Sequence, residues 1–152
     1  MASGDFTVFS QAKIDLGNKI HNLGSGGDVL KFGLATNVVT PTEADAAPHW
    51  AGTGTTNYAT NQVTPGGNYS TGGPTLTTQV FNASGANAKF DVDDVSITQN
   101  ASNPTNARWA VLYNSTDANK RALGFLDLGS VRDLSGGNFT VTWNASGVFT
   151  LS

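Results

Sequence analysis

The chain has 152 residues, of which 38% are apolar and only 12% are charged, and its formal net charge is −3 at pH 7. Its length suits one domain, residues 1–152, and its charge excludes the basic surface typical of nucleic-acid binding. The absence of cysteine excludes disulfides and thiolate zinc sites, and no apolar run approaches the roughly 20 residues that span a bilayer. The polar residues are mainly Thr, Asn, Ser and Gly, which favour strands joined by turns.

The first predicted element is an amphipathic helix over residues 6–23, which is expected to pack on a sheet. The alternative is an N-terminal arm that docks on a neighbouring molecule. Gly17 disfavours the helix by about 1 kcal/mol relative to alanine, and the glycine-rich run 24–27 is a stop signal. The chain start has no basic region before an apolar run, so no signal peptide is expected. The predicted helix rests on apolar residues spaced three and four apart: Phe9, Ala12, Leu16, Ile20 and Leu23.

A period of two follows and predicts a half-buried strand over residues 29–35, where Leu30, Phe32 and Leu34 share one face. Residues 36–74 then form a long polar segment that contains four of the five prolines. A structureless loop of this length is unusual inside a compact domain. We therefore expect either an extended loop with one or two short strands, or an arm that a partner orders.

Strand patterns become dense over residues 75–151, where antiparallel strands are expected. The pattern changes parity at Asp93 and Asp94, which indicates a bulge or a corner. Residues 107–113 and 122–128 are apolar on both parities and are predicted as central strands. Residues 139–143 and 148–151, joined by a turn at 144–147, are predicted to close the fold as a hairpin. The predicted fold is a mainly β domain: an antiparallel β-sandwich or jelly-roll-like structure with one N-terminal α-helix and a long loop or arm.

Residues that could carry catalysis or bind a metal are few. His21 and His49 lack a second ligand at a metal-binding spacing, and both are expected to be structural. The acidic cluster Asp91, Asp93 and Asp94 offers oxygen ligands to calcium, but it lacks an EF-hand pattern and is better explained as a charged strand edge. No nucleophile motif or phosphate loop occurs. The sequence therefore predicts no enzyme, no cofactor and no metal site.

Three aromatic residues, Trp50, Tyr58 and Tyr69, lie in the polar segment and outside any strand-like run. Tyr and Trp are enriched at protein interfaces because they bury much area at small entropic cost. The three are therefore the candidate partner interface. The alternative is that they fold back and cap the core. The same three rings also suggest platforms on which sugars stack. A carbohydrate-binding β-sandwich module is therefore one candidate function.

Seven runs of residues follow one another along most of the chain: HNL at 21–23, DVLKFGL at 28–34, NYSTGGPTL at 68–76, RWAVLYN at 108–114, LGFLDLG at 123–129, GNFTVTWN at 137–144 and GVF at 147–149. In the pattern and order of these runs, the chain resembles small proteins encoded beside the major capsid protein of tailed bacteriophages. Residues 53–64 depart from that pattern, because they are longer and more polar.

The resemblance implies a virion structural protein that decorates and stabilises the capsid. Its expected partners are the major capsid protein and further copies of itself on the shell, with no nucleic acid and no membrane. The expected location is the capsid surface of a virion that assembles in the host cytoplasm. A structural role in the phage tail or neck is the other alternative function.

Overall fold

A computed structural model describes residues 5–152, so the chain start, where no signal peptide is expected, lies outside the described part. The chain is mainly β, with 39% of residues in strands and 8% in helices, which confirms the predicted fold class. The elements are β1 Thr7–Val8, α1 Ser10–Gly17, β2 Leu30–Ala35, β3 Pro48–His49, β4 Thr56–Asn57, a 3-10 helix Tyr58–Asn61, β5 Val80–Ser84, β6 Asn87–Asp91, β7 Val95–Ile97, β8 Ala107–Asn114, β9 Ala122–Arg132, β10 Phe139–Val141 and β11 Phe149–Leu151.

The N-terminal helix is shorter than predicted. The helix predicted over residues 6–23 is confirmed only at α1, because the residues before it pair with β9 as strand β1. The helix ends after Gly17, and Lys19 has a left-handed φ of 61°, which turns the chain away from the helix axis. Asp15 is buried, although it is not among the apolar residues on which the predicted helix rests.

The centre of the fold is a four-stranded antiparallel sheet in the order β1-β9-β8-β2. Both predicted central strands are confirmed: β8 is buried at seven of its eight positions, and residues 122–126 of β9 are buried without interruption. Side chains on both faces of these strands belong to one hydrophobic core. Apolar residues at every position are what such two-sided burial requires.

Strand β2 confirms the strand predicted over residues 29–35, but it is buried on both faces instead of one. Although it is the last strand of the sheet, its outer edge is covered by the polar segment and the residues after it. Val63 N donates to Leu34 O at 3.0 Å, Phe32 N to Pro74 O at 3.0 Å, and Leu76 N to Leu30 O at 2.9 Å. The covering segment satisfies backbone groups that would otherwise face water.

The segment 36–74 contains the two short strands β3 and β4, as one of the two interpretations predicts, and a 3-10 helix. It packs on the chain's own sheet. The Trp50 ring lies against Gly33, where a β-carbon would come within 2.5 Å of it, and stacks on Tyr113 with ring centroids 5.3 Å apart. Gly33 therefore leaves the space that Trp50 fills.

The predicted closing hairpin is wrong. Strand β10 pairs with β7, whereas β11 pairs with β6 in another sheet. The turn at 144–147 exists, but it carries the chain between these sheets. The corner predicted at Asp93 and Asp94 is confirmed, since β6 and β7 are interrupted there. The antiparallel pair β6–β11 and the antiparallel pair β7–β10 therefore meet at this bend. In the bend, Trp143 N donates to the carboxylate of Asp94 at 3.0 Å.

The strand pattern predicted at residues 75–79 is also displaced. Strand β5 begins only at Val80, and Thr78 has a left-handed φ of 54°. Thr75 makes an isolated bridge to Lys31 at the edge of β2. These residues are used to cover the central sheet, and pairing with β6 starts after the chain has turned.

One buried hydrogen bond joins the covering segment to β2 and can be tested. Leu34 N donates to the Tyr69 hydroxyl oxygen at 2.8 Å. Tyr69→Phe leaves that buried N–H without an acceptor, so the free energy of unfolding should fall by about 1–3 kcal/mol in urea titrations. Tyr113→Phe should cost less, because it leaves a carbonyl, that of Gly72, without this donor. Equal stability of Tyr69→Phe and wild type would contradict the assignment.

Candidate partner-binding site

The three aromatic residues predicted as a partner interface are buried, with exposed fractions of 2% for Trp50, 0% for Tyr58 and 1% for Tyr69. They cap the core, which is the alternative that the sequence left open. Tyr58 stacks on Phe9 with ring centroids 5.7 Å apart. Because no ring face is open to solvent, the prediction that these residues form a partner interface is corrected.

The hydroxyl groups of the buried tyrosines have fixed partners. Tyr58 donates to the carboxylate of Asp45, and Tyr113 donates to Gly72 O at 3.0 Å. Burial raises the pKa of Tyr113 to about 12, and burial together with the hydrogen bond to Asp45 raises the pKa of Tyr58 well above its ordinary value. These phenols stay neutral at physiological pH and serve packing.

His21 belongs to a buried polar cluster between α1, the turn after it and the end of β8. Asn114 Nδ2 lies 3.1 Å from His21 Nδ1 and donates to Asp28 Oδ2 at 2.6 Å. His21 Nε2 faces Asp15 Oδ2 at 3.9 Å, and neither atom has a hydrogen-bond partner among the described residues. Arg121 approaches the same Asp15 oxygen at 4.0 Å.

Burial lowers the pKa of His21, and the negative charges of Asp15, Asp117 and Asp28 only partly oppose that effect. The imidazole is therefore neutral in the folded protein at pH 7. A residue in this state keeps the cluster together and has no solvent-facing nitrogen for a substrate, since its side chain is fully buried.

The titration of His21 predicts how stability depends on pH. Because its pKa is lower in the folded chain than the ordinary 6.5, its contribution is complete above pH 6.5 and is lost as the pH falls below that value. The free energy of unfolding should therefore fall between pH 7.5 and pH 5, and His21→Gln should reduce the slope. Parallel pH profiles of wild type and variant in urea titrations would contradict this role.

His49 and the acidic cluster also make local contacts. His49 is buried, and its Nδ1 accepts from Gly52 N at 3.1 Å. Asp93 accepts from the Thr77 hydroxyl at 2.9 Å and also from that of Thr78, and Lys89 pairs with Asp91 at 3.0 Å. Within residues 5–152, no group of three or more acidic or histidine side chains is placed to hold a metal ion.

An open groove lies between two strand edges that have no partner on their outer side. Strand β1 pairs only with β9, and β11 pairs only with β6, within the described chain. The groove between them has a volume of about 510 Å³. Residues 5–8, 143–144 and 146–151 line it, together with Lys13 and Glu43. We call it the β1–β11 groove.

The inner wall of the β1–β11 groove is aromatic. The Phe6 ring stacks on Phe149 with centroids 6.0 Å apart and meets Trp143 edge-on at 6.2 Å. Phe6 is half-buried, whereas Trp143 and Phe149 are 8% exposed. Trp143 and Phe149 therefore form the floor of the groove, and Phe6 is the ring that offers apolar surface to a partner.

The rim of the groove carries an ion pair between Lys13 and Glu43, with Nζ and Oε1 2.7 Å apart and both side chains about half exposed, 52% and 51%. The hydrogen bond and charge of Lys13 lower the pKa of Glu43 below its usual value. An exposed pair of this kind adds little stability. It gives this end of the groove one group of each sign for polar contacts with a protein partner.

The sequence does not predict this groove. Phe6 was assigned to a helix, and Trp143 and Phe149 to the two strands of one hairpin, so nothing indicated that the three rings meet. The sequence shows that the three residues are aromatic. They become neighbours only because β10 and β11 pair in different sheets, which brings residues 143–151 beside residues 5–8.

Comparison of the chain with protein-family models, with curated proteins and with solved structures gives no match. Across residues 5–152, no helix combines the length and apolar character needed to cross a bilayer. The function is therefore inferred from the chain's own geometry and from the resemblance of its sequence pattern.

Proposed function

We propose that the chain is a structural protein of a tailed-phage virion that decorates the capsid and stabilises it by binding the major capsid protein. The observation that carries the proposal is the β1–β11 groove. Its two walls are open strand edges, and an open edge recognises an extended protein segment by main-chain hydrogen bonds. The resemblance of most of the chain to proteins encoded beside capsid genes supports the major capsid protein as the source of that segment.

The histidines and the clustered carboxylates have structural roles in the fold, which agrees with a binding function for the protein. His21, His49 and the Asp91–Asp94 carboxylates hold turns and corners of the fold. A decoration protein needs a stiff body, because each copy contributes a modest contact that the symmetric shell repeats many times. The covered edge of β2 and the packed segment 36–74 provide such a body.

The two alternative functions now differ in their support. A role in the tail or neck requires the same kind of groove and is separated from decoration by location alone. The carbohydrate-binding module was suggested by Trp50, Tyr58 and Tyr69, and their burial removes the open ring faces on which a sugar would stack.

The proposal is tested by co-sedimentation of purified protein with mature capsids that lack it. We expect the wild type to bind and Thr150→Trp to bind at least 10-fold more weakly, because Thr150 is exposed and lines the groove. Ser130→Trp, at an exposed strand position outside the groove, is the matched control and should bind as wild type does.

Two results would overturn the proposal. If wild-type protein does not bind capsids, decoration is wrong, and binding to purified tails instead would support the tail alternative. If Thr150→Trp and Ser130→Trp both bind like wild type, the groove is not the contact with the capsid.

A further inference from the structure

The hairpin of β5 and β6 projects an open and uncharged edge into solvent. Strand β5 ends its three-stranded sheet, which has the order β11-β6-β5, and four of its five residues are exposed. Residues 80–88 contain no charged side chain. Soluble proteins usually protect an open edge with lysine, proline, a bulge or a covering segment, and the edge of β5 has none of these among the described residues.

Among the described residues, the outer edge of β2 is covered by other parts of the chain, whereas the outer edge of β5 is not. Along β2, backbone bonds from Val63 and Leu76, and a bond to Pro74, cover the outer side. No comparable bond reaches the outer side of β5 within residues 5–152. The fold therefore leaves one long edge available for a further strand.

The apolar face beside this edge is also incompletely covered. Phe81 lies opposite the buried Phe90 but is itself 37% exposed. Together with Leu16, Leu23 and Leu151, it lines a second groove of about 510 Å³ between the hairpin and α1. A strand that pairs with β5 would place its own side chains beside Phe81 on this face of the sheet.

We propose that β5 of one copy pairs antiparallel with β5 of a second copy, giving a six-stranded sheet across a two-fold axis. In this register Asn82 lies opposite Asn82 of the second copy, and Phe81 lies opposite Ala83. Opposite residues of an antiparallel pair share a face, so both phenylalanines lie on the apolar side.

Charge favours a second copy as the occupant. In this two-fold pairing the residue on the axis, Asn82, meets its own copy, so a charge at that position would face a like charge. A strand with no charge avoids that repulsion. The nearest charges, Lys89 and Asp91 on β6, already pair with each other at 3.0 Å. This inference is independent of the proposed capsid function.

The register is tested with single cysteines, because the natural chain has none. In Asn82→Cys the two α-carbons would lie about 4.5–5.5 Å apart, within the roughly 4.4–6.8 Å that a disulfide needs. Asn87→Cys is the matched control, since two β6 strands would lie three strand spacings apart, about 14 Å. Under mild oxidation we expect Asn82→Cys to form a covalent dimer at least 10-fold faster than Asn87→Cys.

Sedimentation of the full chain over a range of concentrations supplies the second readout. Wild type should show a monomer–dimer equilibrium, and Asn82→Lys should raise its dissociation constant at least 10-fold, because two ammonium groups would then face each other. Asn87→Lys should leave it unchanged. Equal cross-linking rates for the two cysteine variants, or a wild type that stays monomeric at millimolar concentration, would overturn the proposal.

Discussion

Replacement of Trp50 by alanine is expected to lower the free energy of unfolding by about 3–5 kcal/mol. The ring is 2% exposed, lies against the backbone of Gly33 and stacks on Tyr113. Its removal leaves a cavity between the segment 36–74 and β2, and Gly33, having no side chain, cannot fill it. Urea titration followed by circular dichroism measures the loss.

Val38→Ala is the control, since Val38 is in the same segment but is 79% exposed. It should change the free energy of unfolding by no more than about 0.5 kcal/mol. If Trp50→Ala behaved like Val38→Ala, the segment would not be packed on the sheet, and the arm that a partner orders would be the correct interpretation of residues 36–74.

Replacement of Asn114 by alanine is the second change with a large expected effect, about 3–5 kcal/mol, because each buried polar group left without a partner costs about 1–3 kcal/mol. The Asn114 side chain is fully buried, and its Oδ1 accepts from the backbone N–H groups of Thr116 and Asp117, both at 3.0 Å. Its Nδ2 faces His21 and Asp28. One residue thus joins the turn after β8 to the turn after α1.

Asn87→Ala is the matched control, since Asn87 is exposed on β6 and should tolerate the change. The Asn114→Ala protein should also lose the steep part of the pH profile assigned to His21, because the imidazole would become accessible to water. A variant with wild-type stability and an unchanged pH profile would show that the cluster does not hold these turns together.

The strands that could be predicted from sequence are those whose pattern is set by local burial. Strand β8 is apolar at almost every position because both of its faces are covered, and β2 alternates because Lys31 and Gly33 separate its large side chains. The corner at Asp93 and Asp94 was visible as a change of parity. Each of these patterns depends on a few neighbouring residues.

The errors come from contacts between distant parts of the chain. The helix begins later than predicted because residues 7–8 pair with β9, more than 100 residues away in the sequence. The predicted hairpin is wrong because β11 pairs with β6 and not with β10. Alternation shows that a segment is a strand, but it does not show which strand lies beside it.

The candidate site likewise depends on contacts between residues that are distant in the sequence. Trp50, Tyr58 and Tyr69 were chosen because aromatic residues in a polar segment are conspicuous, and the structure uses them to attach that segment to the core. The β1–β11 groove joins residues from the two ends of the chain, so its rings become neighbours only through the sheet topology. A single sequence contains no pairing information that would bring them together.

Capsid decoration is tested most directly by an electron cryo-microscopy map of a phage particle that carries the chain. Decoration through the β1–β11 groove predicts density for this fold on the outer capsid surface, with an extended segment of the major capsid protein lying in that groove. Density for the fold in the tail or neck, or on the shell with that groove facing solvent, would contradict it.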